Sequence, residues 1–319
     1  MIARGGLAVV VAAFAAVAVA AACGGSDHTG SSAGGPTRVV DQRRAGDRLI
    51  DLRIRSRALH RVATVRLMTP TGWSAARDGR RWPVLYLLHG CCDTYESWTR
   101  STDIERLPEL RRVLVVMPEG GDVGFYSNWV GEAAPAWETF HLDEVRRILQ
   151  RRYGAGTRRA IAGQSMGGLG AMDYSARHPG LFRAAASFSG LLHPLGDTDF
   201  LLGLFSRYTD DPRLIWGDPS QGRQTWASHD PTALAARLRG TRLFVSSGDG
   251  RPGPLDARGA EPDRVEPTVL RESQAFVDRL RRLRIPAQVD FYGPGTHDWP
   301  YWQRELRRAL PSLLNAVRR

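Results

Sequence analysis

Gly163-Gln164-Ser165-Met166-Gly167-Gly168 lies between Arg159-Ala160-Ile161-Ala162 on one side and Leu169 to Arg177 on the other. The first flank reads as a short buried strand and the second as a helix. A serine in G-x-S-x-G at a strand–turn–helix junction sits on a sharp turn with its hydroxyl exposed. The glycines belong to that geometry, because the turn is strained and crossing backbones leave no room for side chains beside it. The N–H that follows, that of Met166, points where an oxyanion would develop. With 34 glycines in the chain, a chance G-x-S-x-G is the bland alternative, and the strand and helix around it argue against that.

Outward from this turn the chain alternates strand and helix patterns. Leu49 to Ile54 and Ala63 to Leu67 alternate apolar and polar residues, as half-buried antiparallel strands do. Pro83 to Leu88 and Val113 to Met117 are unbroken apolar runs, which predicts central strands covered on both faces. Trp137 to Tyr153 has helical spacing, Ala184 to Phe188 and Leu243 to Ser247 read as strands, and Val269 to Leu283 reads as a helix. Ala287 to Tyr292 is a last strand, and Trp299 to Val317 a closing amphipathic helix. This order predicts an α/β-hydrolase fold, a mostly parallel central sheet with helices on both faces. Residues 194–235, rich in Trp, Pro and Asp, break the rhythm and read as an insertion over the site, an acyl- or acceptor-binding lid.

A serine hydroxyl is a weak nucleophile at neutral pH and needs a base. In this fold the histidine comes last, in a loop after the final strand. His297, in Gly293-Pro294-Gly295-Thr296-His297-Asp298-Trp299, meets that requirement, and no histidine other than it follows His229. The acid that orients it should follow Leu243 to Ser247. Asp249 lies directly after that strand, with Asp256, Asp263 and Glu266 a little later; spacing favours Asp249. The second oxyanion donor is expected from His89-Gly90-Cys91, after Leu85 to Leu88, as the backbone N–H of Cys91. The Cys91 thiol itself has no elbow around it and does not read as a nucleophile.

The N-terminal residues read as a targeting segment. Arg4 precedes an apolar run from Leu7 to Ala22, and a Gly/Ser-rich stretch follows. Residues 1–22 are therefore expected to be a secretory signal, 23–45 a linker, and 46–319 the catalytic domain. Ala20-Ala21-Ala22 fits cleavage that releases a soluble secreted enzyme. Cys23 in the next position fits a lipidated, membrane-anchored lipoprotein, the reading favoured by the tether after it. The formal charge is +11, and all 44 basic residues are arginine. They are interleaved with acids, unlike a nucleic-acid-binding tail, so nucleic acid is not an expected partner. Weak attraction to an anionic cell envelope is the functional alternative to a plain solvated surface. Cys91 and Cys92, being adjacent, cannot ligate a metal with usual spacing and are candidates for a vicinal disulfide. No ligand cluster is present, so neither a metal nor an organic cofactor is expected.

Several segments resemble the actinobacterial mycolyltransferases of the antigen 85 family. Met117-Pro118-Glu119-Gly120-Gly121, Gly124-Phe125-Tyr126-Ser127-Asn128-Trp129 and Trp137-Glu138-Thr139-Phe140 look like that family's M-P-x-G-G, F-Y-x-x-W and W-E-T-F. Ser187 to Leu192, Trp216-Gly217 with His229-Asp230-Pro231, and Gly295 to Trp302 look like its S-x-S-G-x-L, W-G…N-D-P and G-T-H-S-W-P-Y-W. The resemblance runs from about Leu85 to Leu310 and implies a secreted acyltransferase or esterase of α/β-hydrolase fold. It puts the nucleophile on Ser165, the acid on Glu266, the base on His297 and the oxyanion donors on Cys91 and Met166. It also implies substrate contacts for His89 and Trp299. Two positions depart from the family: His89 stands where it has its trehalose-binding aspartate, and Cys92 where it has an arginine. Neither repeats the original bonding, so the resemblance carries an acyl ester donor and a water or alcohol acceptor, and does not carry trehalose. The family's cysteine beside the acid strand is Ser247 here. A rival of another class, a non-catalytic envelope- or matrix-binding protein on the same fold, is disfavoured by the intact serine, histidine and acid.

Overall fold

The computed structural model describes residues 35–74 and 79–318. The signal segment, Cys23 and the first part of the linker lie outside the described residues. Nine strands form one sheet: β1 (Arg38–Arg44), β2 (Leu49–Arg55), β3 (Val62–Met68), β4 (Trp82–Leu88), β5 (Leu114–Pro118), β6 (Ala155–Gln164), β7 (Ala184–Phe188), β8 (Arg242–Ser247) and β9 (Ala287–Phe291). Their order across the sheet is β1-β2-β3-β5-β4-β6-β7-β8-β9. β1, β2, β3 and β5 pair antiparallel, and from β5 through β9 every pairing is parallel. The linker expected to reach residue 45 is corrected here, because Arg38–Arg44 is the edge strand β1, in register with β2. Its R-V-V-D-Q-R-R sequence is exposed almost throughout, and a strand that buries neither face has no alternation to announce it.

The central strands alternate between two apolar layers. In β4, Val84, Tyr86 and Leu88 enter one buried cluster while Leu85 and Leu87 enter the other. Strand β5 does the same with Leu114 and Val116 against Val115 and Met117. The first layer is covered by α1 (Met166–Arg177), by α3 (Glu266–Arg282) and by the helical run from Trp137 to Arg152. Between α1 and α3 lies α2 (Thr198–Phe205). The second layer is covered by α4 (Trp299–Arg318), whose Leu306, Leu310, Leu313 and Val317 are buried. The Trp137–Tyr153 helix read from spacing carries a π-helical segment over Phe140–Val145. Within it His141 is buried, with one ring nitrogen 2.8 Å from the Tyr174 hydroxyl and the other 2.7 Å from the Glu119 carbonyl. The 194–235 insertion holds α2 and further short helices. Among the described residues no helix is long and apolar enough to cross a membrane.

Candidate active site

The parallel strands deliver the site residues at their carboxyl ends, where ligands bind in open α/β sheets. Ser165 follows β6 and begins the turn into α1 with φ 53° and ψ −122°. That left-handed backbone is costly for a residue with a side chain, and surrounding contacts hold it. A Cβ on Gly163 would lie 2.2 Å from the Gly167 carbonyl oxygen, and one on Gly167 would lie 2.4 Å from that of Leu88. The two glycines therefore let β6, the turn and the loop after β4 pack against one another. Met166 is the first residue of α1, so its N–H has no acceptor within the helix.

His297 lies in the loop between β9 and α4. Its Nδ1 is 2.6 Å from Glu266 Oε2. An acceptor at that nitrogen fixes the proton on Nδ1 and leaves the Nε2 lone pair free. Glu266 is fully buried. Its other oxygen, Oε1, receives the Ser189 hydroxyl at 2.7 Å, the Ser247 hydroxyl at 2.9 Å and the Gly248 N–H at 2.7 Å. Ser189 in turn accepts the Trp302 indole N–H at 3.1 Å, and the Trp302 ring meets His297 edge-on. The site where the resemblance implies cysteine is thus occupied by a serine that bonds the carboxylate.

The other candidate acids have different partners. Asp249 pairs with Arg251 at 2.6 Å on the surface, and that guanidinium holds its carboxyl below the usual range. Asp256 reaches the His297 loop by another route. Its Oδ2 accepts the Gly253 N–H and the Tyr301 hydroxyl, each at 2.7 Å, while Oδ1 takes the hydroxyl of Thr296, the neighbour of His297. Burial pushes the Asp256 carboxyl up, but these donors outweigh it and leave it lowered. Asp263 accepts the N–H groups of Val265 and Glu266 at 2.8 and 2.6 Å, capping the start of α3. Backbone bonds also join the two loops: Asp249 N–H to Gly293 O, Gly250 N–H to Gly295 O, and Gly295 N–H to Arg251 O.

Ser165 and His297 line one cavity of about 340 Å³ together with Cys91, Gln164 and Trp299. Leu191, Phe200, Leu204, Val265 and Trp302 form its apolar wall, and Asp93 and Asp298 lie at its polar side. Trp299, expected at the substrate, is there, set edge-on against Trp98 at 5.1 Å. His89 is not, which corrects the expectation of a substrate contact. Its ring is 1 % exposed and lies under the loop, Nδ1 2.8 Å from the Gly90 carbonyl and Nε2 accepting the Gly120 N–H at 2.8 Å. Both nitrogens are spent on backbone, so the ring braces the loop that carries Cys91. Cys91 and Cys92 are joined by a vicinal disulfide. Cys92 has φ 66° and donates its N–H to Asp122 O at 2.9 Å. His89 is therefore not available to bond an acceptor, and Cys92 has already given its N–H to Asp122 and its sulfur to Cys91. Sequence reasoning did not single out Ser189 or Ser247 as partners of the acid, though the S-F-S-G and L-F-V-S-S motifs signal them; Phe200 and Leu204 fall within the 194–235 segment expected over the site, and spacing did not name them individually. Among the described residues no group of three or more His, Cys, Asp or Glu is placed to hold a metal ion.

The family described as "Putative esterase" matches residues 56–313. The diacylglycerol acyltransferase/mycolyltransferase Ag85B of Mycolicibacterium smegmatis is 31 % identical over 245 residues, 72 % of this chain and 75 % of that protein. Ag85A of Mycobacterium tuberculosis is 31 % identical over 258 residues, 75 % of each chain. Among solved structures, M. tuberculosis MPT51 (FbpC1) superposes with a TM-score of 0.66 at 24 % identity, over 89 % of this chain and all of that one. The Staphylococcus aureus fluorophosphonate-binding serine hydrolase FphF gives 0.66 at 22 % identity, over 88 % of this chain and 100 % of that one.

Proposed function

This chain belongs to the esterase family and shares its α/β-hydrolase fold and acyl transfer on ester substrates, and from that premise we propose the residues and steps by which it acts. His297 Nε2 takes the proton of Ser165 Oγ as the oxygen attacks the ester carbonyl. The Cys91 and Met166 N–H groups receive the resulting oxyanion. Glu266 keeps the imidazole in the tautomer that can accept, and stabilises the imidazolium once it forms. Collapse breaks the bond to the leaving alkoxide, which takes the proton from His297. Water or a second alcohol then gives its proton to His297 as it attacks the acyl-enzyme carbonyl; collapse breaks the bond to Ser165 Oγ, which takes that proton back from His297 as the acid or new ester leaves. No step requires a metal or organic cofactor.

The observation that carries this reading is the pairing of the 2.6 Å His297–Glu266 bond with a strained Ser165 facing the same cavity. The catalytic domain then begins at β1 rather than at residue 46. We infer export from the N-terminal apolar run, with anchoring through Cys23 as its lipoprotein form. A fluorophosphonate probe should label the wild type and not Ser165→Ala. A p-nitrophenyl ester, supplied with and without glycerol or a sugar, then divides hydrolysis from transfer by the fraction of acyl groups recovered as free acid. An unlabelled wild-type Ser165 would reject the enzyme.

A further inference from the structure

We propose that the cavity selects short acyl chains, with α2 as the wall that sets their length; this rests on the acyl-transfer reading above. Helix α2 has two faces. Leu201 and Phe205 are fully buried, and the Phe205 ring packs on Phe125 at 4.7 Å, Trp216 at 5.7 Å and Trp226 at 6.3 Å. Phe200 and Leu204, four residues apart and so on one face, turn the other way and line the cavity with Ser165. The approach to the helix is tied as well. Asp230 accepts the Leu195 N–H at 2.9 Å and meets His193 Nδ1 at 2.9 Å, and Asp197 pairs with Arg271 at 2.7 Å. An aromatic cluster behind and polar ties at its base hold α2 as a fixed wall.

The volume then limits the substrate. A methylene-sized group fills about 30 Å³, the share of one water molecule in the liquid. The cavity of about 340 Å³ therefore holds roughly eleven such groups, counting the ester and the leaving alcohol. That leaves room for an acyl chain of about four to six carbons. A sixteen-carbon chain would need on the order of 480 Å³ by itself, so most of its tail would stay in water. Each methylene that enters the cavity should raise kcat/KM about four-fold, and each one left outside should add nothing.

The test is a monoacylglycerol series from acetyl to palmitoyl, whose small leaving alcohol matches the volume estimate, read by released free acid on the full chain below the micelle concentration of each ester. The rate is expected to climb through butyryl and hexanoyl and then level or fall. Phe200→Ala and Leu204→Ala should move the optimum to longer chains, and Leu204→Phe should move it toward acetyl. Retained fluorophosphonate labelling of Ser165 identifies the variants that fold. A wild type fastest on lauroyl or palmitoyl esters would overturn the proposal, as would an optimum unmoved in folded variants at both positions. Turnover of no ester at all would instead overturn the acyl-transfer assignment on which the proposal rests.

Discussion

Replacing Glu266 with glutamine tests the proposed relay at its most constrained atom. The carboxamide keeps one oxygen for the two tasks that the carboxylate divides between Oε1 and Oε2. If that oxygen stays with Ser189, Ser247 and Gly248, the NH2 group faces His297 Nδ1, and two donors meet where 2.6 Å separates them now. If it turns to His297, three donors lose their acceptor, and the Gly248 N–H cannot reorient. The first arrangement breaks one contact and the second three, so it should prevail. The imidazole then carries its proton on Nε2 and cannot accept that of Ser165. A tautomer error of this kind lowers kcat by about 10⁴ in serine proteases, or about 5 kcal/mol of transition-state stabilisation. KM should stay within a few-fold of wild type, because the buried carboxylate does not line the cavity. Asp249→Asn serves as the comparison. Its partner Arg251 is exposed, and exposed pairs contribute at most about 1 kcal/mol, so kcat should stay near wild type. The assay is p-nitrophenyl butyrate turnover on both variants at matched Ser165 labelling. A Glu266→Gln enzyme that keeps most of its activity, beside an Asp249→Asn enzyme that loses it, would refute the reasoning.

Two further outcomes follow from groups around the site. Asp256→Asn should lower kcat about ten-fold through misplacement of the His297 loop, with KM unchanged; an unaltered kcat would remove Asp256 from the positioning of the base. Burial pushes the Glu272 carboxyl up to about 8 from an ordinary value of 4.5. The unfolded chain therefore releases that proton first, and the stability contributed below pH 4.5 is lost as pH rises toward 8. Glu272→Gln should match wild type in Tm near pH 5 and exceed it by several degrees at pH 8. The same Tm difference at both pH values would show that this carboxyl does not titrate as its burial implies.

Much of the architecture was legible because it rests on short-range patterns. The apolar runs of β4 and β5 announce strands covered on both faces, and G-x-S-x-G with its flanks announces the turn at Ser165. What stayed hidden depends on direction and on long loops. The sequence offers Asp249, Asp256, Asp263 and Glu266 after β8, with spacing on the side of Asp249; only the path of the 248–265 loop turns Glu266 inward and Asp249 outward. His89 occupies a position that suggests an acceptor contact, yet its ring points beneath the loop, and no spacing rule fixes that choice. The edge strand β1 is polar on both faces and so reads as linker. The resemblance named Glu266 where spacing favoured Asp249.

The backbone ladder between residues 249–251 and 293–295 has a consequence for how this enzyme can change. It fastens the loops that lead to the proposed acid and base into a single cassette, so a length change in the bonded stretch of either loop should displace both partners relative to the serine. The 194–235 segment lends Phe200 and Leu204 to the cavity but is itself tied to α3 by Asp197–Arg271 and to α1 by His229–Asp173, so a change that spares the proposed relay must keep those ties. New substrate ranges in this scaffold should therefore arise by side-chain changes on the cavity face of α2, while the cassette is inherited whole.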